Sequence, residues 1–217
     1  MQTMQMQFKK NGRVTLTDGA EVGRLDRVVL DVQTKEVTHV VIRKGFLFTE
    51  DKVVPAAWIG SATPEGVVLL ADPSEMDTLP PFEETEYVPA AAEDRPQAVD
   101  EAMPLYWYPA GIGLGGALVP APPPTFVRHT ELNIPPGTVA LREGARVIAS
   151  NGEPVGQVEV VLTEAGTDRA IGLIISKGLL LKEQRRVPIT WVSRLDEDEI
   201  HLAVSPHQLE ALAPSSN

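Results

Sequence analysis

Four histidines are the first residues in this chain that could hold a metal or move a proton: His39, His129, His201 and His207. No two of them stand at the short spacing that brings metal ligands together, and a zinc site needs three or four converging ligands. Asp196-Glu-Asp-Glu199 places four carboxylates in a row. It lacks the glycine and the alternate-residue ligand spacing of a calcium loop, so it reads as a solvated turn. Gly19-x-x-x-Gly23 and Gly111-Ile-Gly-Leu-Gly115-Gly116 are glycine-rich. Neither leads into a Lys-Ser/Thr clamp or opens a helix after a strand, as a phosphate cradle requires. The chain has no cysteine, which removes disulfides, thiolate metal sites and cysteine nucleophiles. The sequence therefore assigns no catalytic residue, no metal ligand and no cofactor site. What stands out instead is apolar: Phe46-Leu47-Phe48, Leu179-Leu180-Leu181 and Tyr106-Trp107-Tyr108. Such residues bury surface rather than do chemistry, so the expected ligand is another protein.

The elements that carry two of these runs occur twice. Shifted by 133 positions, Arg13–Leu79 lies on Arg146–Leu212 without a gap, and 18 of the 67 pairs are identical. Gly19, Val22 and Gly23 fall on Gly152, Val155 and Gly156; Lys44 and Gly45 on Lys177 and Gly178; Val54, Pro55 and Trp58 on Val187, Pro188 and Trp191. Phe46–Phe48 and Leu179–Leu181 are therefore one feature repeated. Arg13–Thr17 alternates as a half-buried strand, Asp18-Gly19 turns, and Glu21–Asp31 alternates imperfectly, as a bulged strand does. Val37–Arg43, Val53–Pro55 and Val67–Leu70 follow as strands, and Pro73–Leu79 as one or two helical turns. The apolar triplets then sit at hairpin tips, where three consecutive side chains cannot all face one side. Lys44 and Glu50, with Lys177 and Glu183, flank those tips as cross-hairpin ion pairs. No serine, threonine or lysine shared by the two halves has a general base beside it. The shared residues are mostly glycine, valine, proline and tryptophan, which a small fold keeps for its geometry and core. Trp58 and Trp191 are expected in the core.

Between the halves the composition changes. Residues 81–137 hold 11 of the 19 prolines, and eight acidic but two basic side chains. Over half of the net charge of −11 sits there, and no basic stripe offers itself to nucleic acid. Leu105–Val119 is apolar but only 15 residues long and broken by Pro109 and four glycines, too short to span a bilayer. Residues 81–137 read as a proline-rich linker. Tyr106-Trp107-Tyr108 within it either docks on a folded half or anchors a partner. Met1–Phe8 has neither a basic nor an apolar signal region, so the expected compartment is the cytoplasm. The fold read from the sequence is all-β: two small antiparallel barrels at 8–80 and 138–217, packed on each other and joined by that linker.

The order Gly-x-x-Val-Gly-x-Leu/Val, an apolar strand ending in Lys-Gly, then Val-Pro-x-x-Trp-Ile/Val resembles the PRC-barrel family. The residues are Gly19, Val22, Gly23, Leu25, Lys44, Gly45, Val54, Pro55, Trp58 and Ile59. The second set is Gly152, Val155, Gly156, Val158, Lys177, Gly178, Val187, Pro188, Trp191 and Val192. That resemblance implies a small β-barrel like the cytoplasmic domain of the photosynthetic reaction-centre H subunit and the C-terminal domain of a ribosome maturation factor. It implies a non-enzymatic docking module whose expected role is a scaffold or adaptor. The alternatives are a reaction-centre-H-like protein held peripherally at the inner membrane by its partner, and a ribosome or RNA-processing accessory acting through protein contacts. The transmembrane helix of the one and the different N-terminal domain of the other are not read in this chain, so neither function transfers as it stands.

Overall fold

The computed structural model describes residues 5–9, 11–44, 50–89, 126–142, 144–164, 166–177 and 183–213. Runs rich in valine, isoleucine and leucine form the central strands, because branched side chains pack well on a pleated surface. The first half gives β1 (Gln5–Lys9), β2 (Arg13–Leu16), β3 (Glu21–Asp31), β4 (Val37–Lys44), β5 (Lys52–Pro55), β6 (Ile59–Thr63), β7 (Gly66–Leu69) and a single-turn helix α1 (Pro73–Met76). After β8 (Glu83–Pro89) and β9 (Phe126–Leu132) the same series returns. It comprises β10 (Thr138–Arg142), β11 (Arg146–Ile148), β12 (Pro154–Glu164), β13 (Ala170–Lys177), β14 (Glu183–Pro188), β15 (Val192–Leu195), β16 (Glu199–Leu202) and α2 (Pro206–Glu210).

The strands build two seven-stranded sheets with the same order, β5-β4-β3-β2-β7-β6 and β14-β13-β12-β11-β16-β15. Pairing is antiparallel except between β2 and β7 and between β11 and β16. The long strands carry the expected irregularity: the register slips at Asp26 in β3 and at Glu159 in β12. The shared glycines have physical reasons. Gly19 and Gly152 turn with φ of +87° and +84°, a region costly for side chains. A Cβ on Gly23 would stand 2.5 Å from the Arg43 carbonyl oxygen, and one on Gly156 2.6 Å from that of Ser176.

The seventh strand of each sheet comes from the other half of the chain. β1 pairs with β12, Gln5 opposite Glu164 and Phe8 opposite Val161. β10 pairs with β3, Thr138 opposite Asp31 and Leu141 opposite Val28. These registers are related by the same shift of 133. The β3–β4 and β12–β13 turns also meet reciprocally: the Val37 N–H donates to the Asp168 carbonyl at 2.8 Å and the Ala170 N–H to the Lys35 carbonyl at 3.0 Å. Contacts that exchange i with j in this way are the signature of a twofold arrangement. One hydrophobic cluster runs through both sheets, from Phe8, Leu16, Leu25 and Leu69 to Leu141, Leu173, Ile200 and Leu202. Residues 5–83 and 132–213 accordingly belong to one compact unit, and Glu84–Glu131 form a second. Within 81–137, read from sequence as linker without strands, β8 and β9 pair as a two-stranded sheet.

Candidate functional site

The residues singled out for partner binding, Phe46, Leu47, Phe48, Tyr106, Trp107, Tyr108, Leu179, Leu180 and Leu181, all lie outside the described residues. What the structure defines is how their flanks are held. The triplets join β4 to β5 and β13 to β14. Lys177 stands opposite Glu183 across the second hairpin. The Glu183 carboxylate pairs with the Arg185 guanidinium at 3.2 Å.

Arg185 has a larger task. Its Nη1 donates to the carbonyls of Leu209 at 3.2 Å and of Glu210 and Leu212 at 2.7 Å, at the C-terminal end of α2. Lys52, its counterpart in the first half, donates to the Leu79 carbonyl at 2.9 Å after α1. A cation there satisfies carbonyls that the helix leaves open and suits its negative end. Lys and Arg are not identical, so a count of identities passes over this shared latch. Trp58 and Trp191 are half-buried against the core rather than inside it. Their carbonyls accept from Leu70 at 2.7 Å and Ala203 at 2.8 Å. The expectation of core tryptophans is met in part: each ring closes the edge of the core.

The chain leaves the main unit after Glu83 and re-enters it at Leu132, and both points are fixed to the first sheet. The Phe82 N–H donates to the Asp51 carbonyl at 2.8 Å, and the Asn133 N–H to the Phe82 carbonyl at 3.0 Å. The Asn133 Nδ2 donates to the Pro81 carbonyl at 2.9 Å. Phe82 is buried on the outer face of the sheet with Val29, Val41, Val53 and Ala140, and Ile134 packs beside it.

The Arg27 guanidinium lies 4.7 Å from the centre of the Phe82 ring. Its side chain is only 7% exposed. It pairs with Asp26 on its own strand and with Glu197 from the β15–β16 turn of the second sheet. Asp26 also binds Arg43, and Arg142 reaches Asp198 at 3.2 Å. A buried charge is tolerable only with such partners, and removing one leaves the others uncompensated. The counterparts of Phe82, Arg27 and Glu197 are Ser215, Val160 and Pro64, so this clamp exists on one side alone. Because it has no repeated partner, a reading built on the repeat has no reason to select it.

Among the described residues no group of three or more His, Asp and Glu converges on a common point. His39 is half-buried on β4 beside Val29 and Pro55, and burial lowers its pKa below the ordinary histidine value. Its buried Nδ1 has no hydrogen-bond partner among the described residues. The imidazole is packed between valine and proline on the sheet.

The strand order, the shared glycines and the Val-Pro-x-x-Trp turn closing on a short helix invite comparison with a known fold. Residues 143–208 match the PRC-barrel domain family. The PRC-barrel match takes in β11 through most of α2, that is, six of the seven strands of the second sheet and the helix that follows them. The seventh strand of that sheet, β1, lies outside it, at the other end of the chain. No curated protein matches the sequence. Among the described residues no helix is long and apolar enough to cross a membrane.

Proposed function

We propose that the chain is a non-enzymatic protein-binding scaffold made of two PRC-barrel-type copies, at 8–80 and 138–217, and that it works in the cytoplasm. The copies interlock through β1 and β10 and so form a stiff base. The insertion between them, with Tyr106-Trp107-Tyr108, and the hairpin tips Phe46–Phe48 and Leu179–Leu181 are the contact surface. The observation that carries this reading is the fastening of the insertion's two ends. Phe82 and Asn133 are bonded to each other and packed on the first sheet, beneath a buried arginine that also reaches the second. A segment held at both ends on a rigid base loses less freedom on binding than a free tail, which is how pre-organisation raises affinity. The aromatic run supplies side chains of the type that dominate protein interfaces. The reaction-centre and ribosome readings rest on the family resemblance alone.

The test is a photo-crosslinking amino acid placed at position 107 in the protein expressed in its own host. The reading expects one dominant foreign protein, lost when Tyr106 and Tyr108 are alanine. Crosslinks confined to the chain itself at all irradiation times would count against it.

A further inference from the structure

The outer edge of the second sheet has a counterpart that shows what such an edge accepts. In the first sheet the edge strand β5 is not bare. Pro80–Phe82 runs antiparallel along it, with Lys52 opposite Pro81. The Val53 N–H donates to the Pro80 carbonyl at 3.2 Å, and the Asp51 carbonyl accepts from the Phe82 N–H at 2.8 Å. Shifted by 133, Val53 becomes Arg186 and Asp51 becomes Gln184, both on β14. The inner registers agree: Val41 faces Val53, and Ile174 faces Arg186. The Arg186 N–H and the Gln184 carbonyl therefore point away from the sheet, as their counterparts do. Among the described residues no backbone group bonds to either.

We propose that β14 takes up an extended segment of a partner protein as an added antiparallel strand, with an aromatic residue followed by acidic ones. Main-chain bonds to an open edge supply affinity in this mode, and alternate side chains supply selectivity. The first sheet gives the backbone pattern in Pro80-Pro81-Phe82, and the next residues, Glu83 and Glu84, are acidic. Charge selects the same kind of strand. Arg186 is exposed with no ion pair among the described residues, whereas its neighbour Arg185 is held by Glu183 and by the carbonyls at the end of α2. Two β14 strands from two copies, paired with Arg186 opposite Arg186, would set like charges against each other, which destabilises a pair. This site is separate from the insertion, and either one can fail without the other.

The probe is a synthetic peptide of the chain's own residues 78–85, Thr-Leu-Pro-Pro-Phe-Glu-Glu-Thr, titrated into the intact protein and followed by backbone-amide NMR. Saturable shifts centred on Gln184–Arg186 are expected. Arg186→Pro, which removes the outward N–H and which an edge strand tolerates, should abolish them. Arg186→Glu keeps the donor and should weaken binding about tenfold, as should a peptide with lysines in place of its glutamates. The proposal is overturned if no saturable shift appears by about 1 mM peptide, the range of the weakest specific complexes. It is equally overturned if the shifts centre elsewhere or survive both variants. Binding seen only after residues 214–217 are deleted would make the chain's own tail the occupant and overturn it. Dilution-dependent shifts at β14 without peptide would do so by naming a second copy.

Discussion

Replacing Phe8 by alanine should loosen the half of the molecule to which Phe8 does not belong in sequence. Phe8 is 2% exposed and sits on β1 opposite Val161 of β12, within the cluster that runs through both sheets. Truncating a buried phenylalanine to alanine costs ~3–5 kcal/mol in transfer and cavity terms together. At about 1.4 kcal/mol per tenfold, that raises amide exchange through local opening by roughly two to nearly four decades. The assay is native-state hydrogen exchange read by fragment. Val160–Glu164 on β12, which β1 pairs with, should exchange faster by the larger part of that factor. Arg27–Asp31 on β3, in the same half of the sequence as Phe8, should change little, because β10 covers it. Leu141→Ala, the counterpart on β10, should give the mirror result: β3 loosens and β12 holds. Faster exchange in β3 for Phe8→Ala, with β12 unchanged, would refute the exchange of strands.

Arg27→Ala should destabilise the protein by ~1.5–3 kcal/mol, since Asp26 keeps Arg43 and Glu197 keeps Arg142 but both lose the buried cation between them; thermal melts against Arg43→Ala, whose side chain is mostly exposed and which should cost far less, check this. Each of Trp58→Ala and Trp191→Ala should cost about 2–3 kcal/mol, the value of removing roughly 100 Å² of half-buried ring at ~25 cal/mol per Å², as urea titration would show. Burial lowers the pKa of His39 in the folded state, so the unfolded chain binds the proton first. Stability from this residue is then flat above pH 6.5 and falls as pH drops below it, and His39→Gln should remove that slope from urea midpoints measured across the range.

Much of the fold could be read from residue types, because the constraints are local. A glycine at +87°, or one where a Cβ would stand 2.5 Å from a carbonyl oxygen, has few substitutes, so Gly19 and Gly23 recur in the second half. The β1 and β10 strands were hidden for the opposite reason. Gln-Met-Gln-Phe-Lys and Thr-Val-Ala-Leu-Arg share no identical pair, although each puts a large apolar residue, Phe8 or Leu141, at the same position facing the core. A sheet needs only an apolar residue facing the core there, and many sequences meet that need. Their exchange between sheets has no local signature at all, since pairing depends on which edge is reached in three dimensions. The latch of Lys52 and Arg185 leaves no mark among the identities because two different cations do one job. The clamp around Arg27 leaves none because it has no second copy. The apolar runs at 46–48, 106–108 and 179–181 were easy to single out, yet adjacent apolar residues name a surface and not its partner.

The most direct test of the account is to cut the insertion. A protease site placed within residues 90–125 allows the purified protein to be cleaved after folding. Two halves that exchange β1 and β10 and share one core should stay together as a single particle with an unchanged melting temperature. They should separate only in denaturant, while capture of the partner through position 107 falls away. Halves that drift apart on cleavage under native conditions, or a cut protein that still captures its partner as well as the intact one, would contradict it.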